Sequence, residues 1–331
     1  MSIKTTPTWL LTGQNGTESL EFIQEYPLPE LGENDVLVQI HAASLNYREI
    51  AIAKGKFSIH LPHPIIPSSD GAGIILATGS SVNTFTEGDK VITHLTGVHG
   101  TLRKNGIFDS SSLVKMPESL GFREAATLTC SGLTAWNALS GLRGKEVRRG
   151  HWVLVQGSGG VSVAALQFAV AAGATVIATT SSDTKAEKFT SLGAHRVVNY
   201  KETPNWGEIA KSHTPDSRGF DIIIDVGGPS TVSQSLKAIR PDGVIALAGL
   251  LGVGSEQGAV PSIMDGLTYL CTTRGYLLGT QVQFAEMNRF IDEKGVKPVA
   301  DERVFGFGGI KEAYEYLEAQ KHFSKIVIDI Q

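Results

Sequence analysis

The sequence predicts an α/β protein with a doubly wound parallel sheet and a second, antiparallel β domain. The first observation is an apolar run at residues 152–156 that leads into a glycine-rich turn and an alanine-rich helical pattern. The second is that further apolar runs alternate with helical segments downstream. The third is a change, from Asp35 to about Val91, to short alternating strands broken by glycine and proline. Strands alternating with helices indicate a parallel sheet, whereas short strands with frequent turns indicate an antiparallel domain.

The glycine-rich turn predicts a nucleotide site. A strand, a glycine turn and a helix N-terminus together receive the pyrophosphate of a dinucleotide. Ser162 replaces the third glycine of the full fingerprint, and serine is the next smallest residue for close helix packing. A glycine-rich turn without a ligand is the alternative. The predicted contacts are Gly157, Ser158, Gly159, Gly160 and Val161.

The end of the next strand favours NADPH over NADH. Residues 174–179 read as a buried strand at the place where a βαβ unit requires one. An acidic residue at the end of that strand would bind a ribose 2′-hydroxyl and repel a 2′-phosphate. Ser181, Ser182 and Lys185 instead offer two hydroxyls and a cation. Asp183 is expected to be the N-cap of the following helix rather than a ribose contact.

Three more apolar runs, at residues 195–200, 220–225 and 244–249, bring the predicted parallel sheet to five strands. Ligands of such sheets bind outside the carboxyl ends of the strands. The residues that follow the later strands are therefore predicted cofactor contacts. They are Gly227, Gly249, Leu250, Leu251, Tyr276 and Leu278.

Composition excludes several classes of protein. The chain has 331 residues, 41% of them apolar, and a formal net charge of −4, which gives no basic surface for nucleic acid. No apolar run is long enough to span a bilayer, and residues 1–6 lack a signal-peptide core, so a cytoplasmic location is expected. Two cysteines, Cys130 and Cys271, provide neither a disulfide framework nor a four-cysteine zinc lobe. The expected partner is a small-molecule substrate.

Six segments distributed along the whole chain form a recognisable series of motifs. They are residues 43–49, 69–73, 87–91, 132–136, 157–161 and 323–327. Their order resembles the medium-chain dehydrogenase/reductase family. That resemblance implies a GroES-like catalytic domain at residues 1–124 and 279–331, and a Rossmann domain at residues 125–278. It also implies a homodimer formed through an edge strand near residues 272–278.

The resemblance points to the zinc-free branch of this family, which includes quinone oxidoreductases, enoyl reductases and zinc-type alcohol dehydrogenase-like proteins. In zinc-dependent members, the metal ligands are a Cys, a His and a Cys at the positions of Asn46, Ser69 and Cys130. Only Cys130 matches. Because catalytic zinc requires three protein ligands, no metal site is expected.

The same resemblance suggests further site residues. Tyr47 is expected to donate a proton or hydrogen bond to the developing anion, with a ribose or packing contact as the alternative. Asn46 is expected to orient Tyr47 or the substrate, whereas Arg48 and Glu49 are expected to pair with each other or with Asp70 as scaffold. Thr134 and Tyr200 are expected to contact the cofactor, although core packing is the alternative for Thr134. For Lys325, a cofactor contact and a solvent-facing side chain are both open.

The function expected from these features is transfer of a hydride from NADPH to the activated C=C bond of an enone or quinone. An enolate formed in that reaction can be stabilised by hydrogen bonds without a metal. Reduction of a ketone or aldehyde on the same scaffold is one alternative. A non-catalytic NADPH-binding protein is an alternative of a different class.

Overall fold

The computed structural model describes residues 3–57, 61–94, 100–249 and 261–331. The chain divides into two compact units: residues 1–131 with 280–331, and residues 132–279. The strands are β1 (Thr5–Leu11), β2 (Leu20–Pro27), β3 (Asp35–Leu45), β4 (Asp70–Thr78), β5 (Lys90–Thr93), β6 (Asn105–Asp109), β7 (Leu113–Lys115), β8 (Trp152–Gln156), β9 (Thr175–Thr180), β10 (Arg196–Asn199), β11 (Phe220–Asp225), β12 (Ile239–Leu247), β13 (Thr272–Gly275), β14 (Ala300–Gly306) and β15 (Lys325–Asp329). The helices are α1 (Tyr47–Ala53), α2 (Phe122–Ala125), α3 (Leu133–Ser140), α4 (Gly160–Ala171), α5 (Asp183–Ser191), α6 (Trp206–Ser212), α7 (Val232–Ala238), α8 (Asp265–Thr268), α9 (Gln281–Lys294) and α10 (Ile310–Glu318).

The central unit, residues 132–279, is a doubly wound parallel sheet. Its described strands run in the order β10-β9-β8-β11-β12-β13, and every neighbouring pair is parallel. This is the strand order of a dinucleotide-binding fold. From β8 the chain adds strands first toward one edge of the sheet, as β9 and β10, and then toward the other edge, as β11, β12 and β13. The apolar runs of the sequence predict the first five of these strands, and the sixth, β13, is the run from Thr272 after which Tyr276 and Leu278 were expected to contact the cofactor. The predicted Rossmann fold is confirmed.

The core of the central unit explains why its strands read as continuous apolar runs. Val153, Leu154 and Val155 of β8 are fully buried, as are Ile223 and Ile224 of β11. A parallel sheet covered by helices on both faces buries both faces of each strand, so period-two alternation is lost. The same property made these segments recognisable in the sequence.

The other unit, residues 1–131 with 280–331, is built on β strands from both ends of the chain. Its main described sheet has the order β14-β15-β3-β4-β5-β7, with β6 also paired to β3, and β1 pairs with β2 separately. The pairings are antiparallel except that β14 and β15 run parallel, a detail that alternation in the sequence does not reveal. Its core includes Ile40, Ile75, Leu102, Tyr314 and Ile326. The pairing of β15 with β3 joins the C-terminal strand to the N-terminal part of the chain.

Candidate active site

The turn after β8 has the geometry of a pyrophosphate cradle. Gly157 has a φ of 69°, a left-handed conformation that favours glycine, and Gly159 is the N-cap of α4. A Cβ atom added at Gly157 or Gly159 would meet no heavy atom within 4 Å. The backbone here therefore faces open space at the start of a helix, where backbone N–H groups bind anions. These residues fit a dinucleotide; Ser158 lies between them in the turn, and Gly160 and Val161 are the first two residues of α4.

Ser162 shows why the third glycine of the fingerprint can be replaced. The side chain is almost fully buried, and its Oγ donates a hydrogen bond to the backbone carbonyl of Gln156. The serine thus fixes the first turn of α4 against the end of β8. Close packing is kept, and the buried hydroxyl has a partner.

The other predicted contacts of the central unit follow the ends of parallel strands, which lie at one edge of the sheet. Gly249 follows β12, and a Cβ atom there would lie 2.4 Å from the backbone oxygen of Val226, so only glycine allows this approach. Leu250 and Leu251 lie outside the described residues. The described residues at this edge are Gly157, Ser181, Tyr200, Gly227, Gly249 and Tyr276.

The residues after β9 form the predicted 2′-phosphate position. Ser181 and Ser182 link β9 to α5, and the half-buried Lys185 lies within the first turn of that helix. The predicted N-cap is wrong by one residue: Ser182 occupies it, and Asp183 is the first helical residue. A carboxylate in the first turn of a helix interacts favourably with the helix dipole, which accounts for Asp183 without a ribose contact.

Thr134, Tyr276 and Leu278 occupy separate environments within the central unit. Thr134 is buried in α3. The Tyr276 hydroxyl is buried with no hydrogen-bond partner among the described residues, and burial raises the pKa of this phenol. Leu278 has a φ of 48°, and its carbonyl accepts a hydrogen bond from Asn137. The hydroxyl of Tyr276 is thus an unmet polar group, of the kind that a ligand can satisfy.

In the other unit, Lys325 lies at the centre of a buried polar network. Its side chain is only 4% exposed, and Nζ donates to the carbonyl of Leu45 at 2.7 Å and to Oδ2 of Asp70 at 3.2 Å. The third acceptor is Oδ1 of Asn46. An ammonium has three protons, so each is engaged here. The alternative of a solvent-facing lysine is therefore wrong, and the cofactor contact stays a prediction.

Asp70 holds the other side of this network and is fully buried. Its carboxylate accepts hydrogen bonds from Ser69 Oγ at 2.6 Å, from Ser44 Oγ at 3.3 Å and from the backbone N–H of Cys130 at 3.3 Å. Burial raises the pKa of the Cys130 thiol to about 12, with the Asp70 charge adding to the shift. Cys130 therefore stays a neutral thiol at physiological pH.

The three positions that match zinc ligands do not fit a metal. The Asn46 oxygen accepts from an ammonium, Ser69 donates to Asp70, and Cys130 is held as a thiol rather than the thiolate that zinc requires. Across the described ranges, no group of three or more His, Cys, Asp or Glu side chains could hold a metal ion.

Tyr47 and Asn46 lie at the start of α1, next to this network. Asn46 is the N-cap, and its backbone N–H donates to the Glu49 carboxylate at 2.7 Å, which fixes the first turn. Arg48 forms an ion pair with Glu49 at 3.1 Å, as the scaffold interpretation expected. Tyr47 is 47% exposed. Nδ2 of Asn46 is buried and has no hydrogen-bond partner among the described residues.

Sequence reasoning missed three residues that organise these sites. Asp70 was expected only as a scaffold partner of Arg48 or Glu49, and Gln156 and Asp225 were interpreted only as strand ends. The available signal was a polar residue at the end of an otherwise apolar strand, as in residues 152–156 and 220–225. Such residues are buried when the strand is buried, so each needs a hydrogen-bond partner.

The fold and the glycine-rich turn are those of a dinucleotide-binding oxidoreductase, and comparison with known proteins gives the family. The family model for the alcohol dehydrogenase GroES-like domain matches residues 32–129, and that for zinc-binding dehydrogenases matches residues 160–293. The chain belongs to the medium-chain dehydrogenase/reductase superfamily. Members of this superfamily bind NAD or NADP.

Individual relatives cover most of the chain. A zinc-type alcohol dehydrogenase-like protein of Schizosaccharomyces pombe is 39% identical over 93% of this chain and 94% of its own. The quinone oxidoreductase of Mus musculus is 33% identical over 72% of this chain and 71% of its own. A solved structure of an NAD-dependent alcohol dehydrogenase superposes with a TM-score of 0.88 at 29% identity, covering 98% of this chain and 100% of its own. Among the described residues, the helices include none with the length and apolar character to cross a membrane.

Proposed function

We propose that this chain is an NADPH-dependent, zinc-independent reductase that transfers a hydride to the activated C=C bond of an enone or quinone. The observation that carries the proposal is the network in which Asn46, Ser69 and Cys130 bind a lysine–aspartate pair instead of a metal. Reduction of a simple carbonyl benefits from a Lewis acid. Conjugate addition spreads the charge over an enolate, which hydrogen-bond donors can stabilise.

The central unit would hold the cofactor. The turn after β8 and the first two residues of α4, together residues 157–161, would receive the pyrophosphate, and Ser181, Ser182 and Lys185 would receive the 2′-phosphate. Tyr200 would lie on the adenosine side. The nicotinamide ribose and carboxamide are assigned to Thr134, Gly227, Gly249, Leu250, Leu251, Tyr276 and Leu278. When bound, NADPH supplies the hydride.

In the proposed reaction the hydride forms a new C–H bond at the β-carbon of the enone. The π pair of the C=C bond moves between the α-carbon and the carbonyl carbon, and the carbonyl π pair moves onto oxygen. Tyr47 then delivers its phenolic proton to the α-carbon and recovers one from water, which regenerates the neutral phenol. Its exposed position at the start of α1 suits a group that exchanges protons with solvent. Asn46 would orient Tyr47 or the substrate.

Reduction of a ketone or aldehyde is the second candidate, and the structural similarity to an NAD-dependent alcohol dehydrogenase favours it. In that reaction the hydride adds to the carbonyl carbon, and Tyr47 protonates the oxygen. The two candidates use the same scaffold, so only the position of the transferred hydride separates them.

The test is NADPH oxidation by chelator-treated protein, with deuterium at the transferring position of NADPH. The acceptors are 2-cyclohexen-1-one, 1,4-benzoquinone, an aldehyde and a saturated ketone. Deuterium at the β-carbon of the enone supports the proposal, and Tyr47→Phe should then lower kcat roughly a hundredfold. Deuterium at a carbonyl carbon would favour the second candidate. Tight NADPH binding without oxidation of any acceptor would overturn both and favour a non-catalytic binding protein.

We also propose a homodimer formed through β13. This strand is the edge of the described parallel sheet, and Leu267, Leu270 and Leu277 near it are 69%, 62% and 86% exposed. An unpaired strand edge with exposed apolar side chains is a typical association surface. Light scattering at micromolar concentration tests this: a mass of one chain would contradict it. The cytoplasmic location stays a prediction.

A further inference from the structure

Asp225 is a fully buried carboxylate at the carboxyl end of β11, and each of its oxygens accepts two hydrogen bonds. Oδ1 accepts from the backbone N–H of Gly228 at 2.9 Å and from Thr231 Oγ1 at 2.5 Å. Oδ2 accepts from Ser235 Oγ at 2.6 Å and from Gln156 Nε2 at 3.3 Å. Four donors compensate the burial of this charge.

Gln156 connects Asp225 to the glycine-rich turn. It is the last residue of β8, the neighbour of β11 in the sheet. Its side-chain Nε2 donates to Asp225 and, at 2.7 Å, to Ser235 Oγ, while its backbone carbonyl accepts from Ser162 at the start of α4. One residue therefore contacts both the buried carboxylate and the first turn of the cofactor-binding helix.

The two turns joined in this way are those predicted to contact the cofactor. The turn after β8 begins at Gly157, and the turn after β11 contains Gly227, followed by the Gly228 N–H that Asp225 holds. The order of strands reverses between β8 and β11, which is where a doubly wound sheet binds its ligand. Asp225 lies between the two strand ends rather than in the turns themselves.

We propose that Asp225 is a positioning residue for the nicotinamide cofactor. Its carboxylate fixes the turns after β8 and β11 relative to each other and acts through their backbone, without touching the cofactor. The inference rests on the proposed cofactor site. Binding sites of this kind need their contacts held to within about 0.5 Å, and buried supporting hydrogen bonds provide that restraint.

The variant that tests this is Asp225→Asn. The amide keeps the shape of the carboxylate but replaces one acceptor oxygen with an NH₂ donor. That donor must take the place of either Oδ1, which faces Gly228 and Thr231, or Oδ2, which faces Gln156 and Ser235. The backbone N–H of Gly228 cannot reverse its role, whereas a hydroxyl can rotate. The new amide then faces Gln156 and Ser235 with a donor, so Gln156 Nε2 loses its charged acceptor and the link between the two turns is expected to weaken.

The matched control is Asp221→Asn, at the opposite end of the same strand. Asp221 is 5% exposed and accepts hydrogen bonds from the backbone N–H of Trp152 at 2.7 Å and from Arg240 Nε at 2.6 Å. Asp221 thus joins β11 to the start of β8, whereas Asp225 joins β11 to the end of β8. A role in folding alone would affect both variants in the same way.

The measurements are the NADPH dissociation constant by calorimetry and the urea midpoint of the ligand-free protein. Both variants should lower the urea midpoint, but only Asp225→Asn should raise the dissociation constant, by roughly tenfold or more. Equal dissociation constants for the two variants would overturn the inference. If Asp225→Asn does not fold, Thr231→Val removes one donor to the same carboxylate, and it should raise the dissociation constant about three- to tenfold. An unchanged constant in Thr231→Val would then overturn it.

Failure of the proposed cofactor site is distinguishable from failure of this inference. A wild-type protein that binds neither NADPH nor NADH would overturn both. A wild-type protein that binds NADPH, together with an Asp225→Asn variant that binds it equally well, would overturn the positioning role alone.

Discussion

The ammonium of Lys325 donates a hydrogen bond to Oδ1 of Asn46, which decides how the Asn46 amide is oriented. An ammonium has no acceptor, so the amide oxygen must face it and Nδ2 must point the other way. The same ammonium contacts Asp70 at 3.2 Å, where both side chains are almost completely buried. The hydrogen bond between Lys325 and Asn46 links strand β15 to the N-cap of α1.

Replacing Lys325 by methionine should therefore destabilise the protein strongly. Lys325→Met keeps most of the side-chain volume but leaves the Asp70 carboxylate buried without its cation, at a cost of about 3–5 kcal/mol. Urea unfolding measures this loss. Lys311→Met, on the exposed face of α10, is the control and should change stability by less than about 0.5 kcal/mol. A Lys325→Met protein as stable as the control would contradict the structural role of the pair.

The glycine turn gives a prediction that separates folding from binding. Gly159→Ala should leave the free energy of unfolding unchanged or raise it by about 0.4–1 kcal/mol, since its φ of −78° suits alanine and its Cβ would meet no atom of the chain. The same methyl group would occupy the space proposed for the pyrophosphate, so NADPH affinity should fall. Gly157→Ala should instead lose about 1–2 kcal/mol of stability, because Gly157 has a φ of 69°. Calorimetric titration with NADPH checks the contrast, and undiminished binding by Gly159→Ala would remove this turn from the site.

The choice of cofactor provides a third prediction. Lys185→Ala should weaken NADPH binding about tenfold or more and leave NADH binding within about twofold, because only NADPH carries the 2′-phosphate that a cation would contact. The ratio of kcat/KM for the two cofactors measures this preference. Lys201→Ala, an exposed lysine after β10, is the matched control. An equal loss of binding affinity for NADH would show that Lys185 does not bind the 2′-phosphate.

The sequence predicted the central unit better than it predicted the networks that organise the site. Runs such as residues 220–225 are continuous and apolar because both faces of the sheet are buried, so strand positions could be read directly. The parallel pairing of β14 with β15 and the N-cap at Ser182 depend on backbone geometry that residue patterns do not contain.

The Lys325 network could not be predicted because its members are far apart in sequence. Lys325 and Asp70 are separated by 255 positions, and their contact exists only because β15 pairs with β3, which pairs with β4. A lysine near the end of a chain is usually exposed, and the apolar residues that follow it gave no sign that its ammonium is buried. The turns after β8 and β11 were predictable, whereas Asp225, which joins them, was not.

The stability of the central unit should depend on pH through Asp221. Burial alone would raise the pKa of Asp221, but the hydrogen bonds from Trp152 N–H and Arg240, with the charges of Arg218 and Arg240, lower it overall. A carboxyl whose pKa is lower in the folded protein contributes stability that is fully present above its unfolded pKa of about 3.9. That contribution is lost as the pH falls through the folded value, because the unfolded chain then binds the proton first.

The variant Asp221→Asn has no carboxyl to titrate at this position. The free energy of unfolding of the wild type should therefore exceed that of the variant by about 1–3 kcal/mol at pH 7, and the difference should shrink below about pH 4. Urea unfolding of both proteins at pH 7, 5, 4 and 3.5 measures the difference. A gap that stays constant to pH 3.5 would mean that Asp221 does not titrate at a lowered pKa in the folded protein.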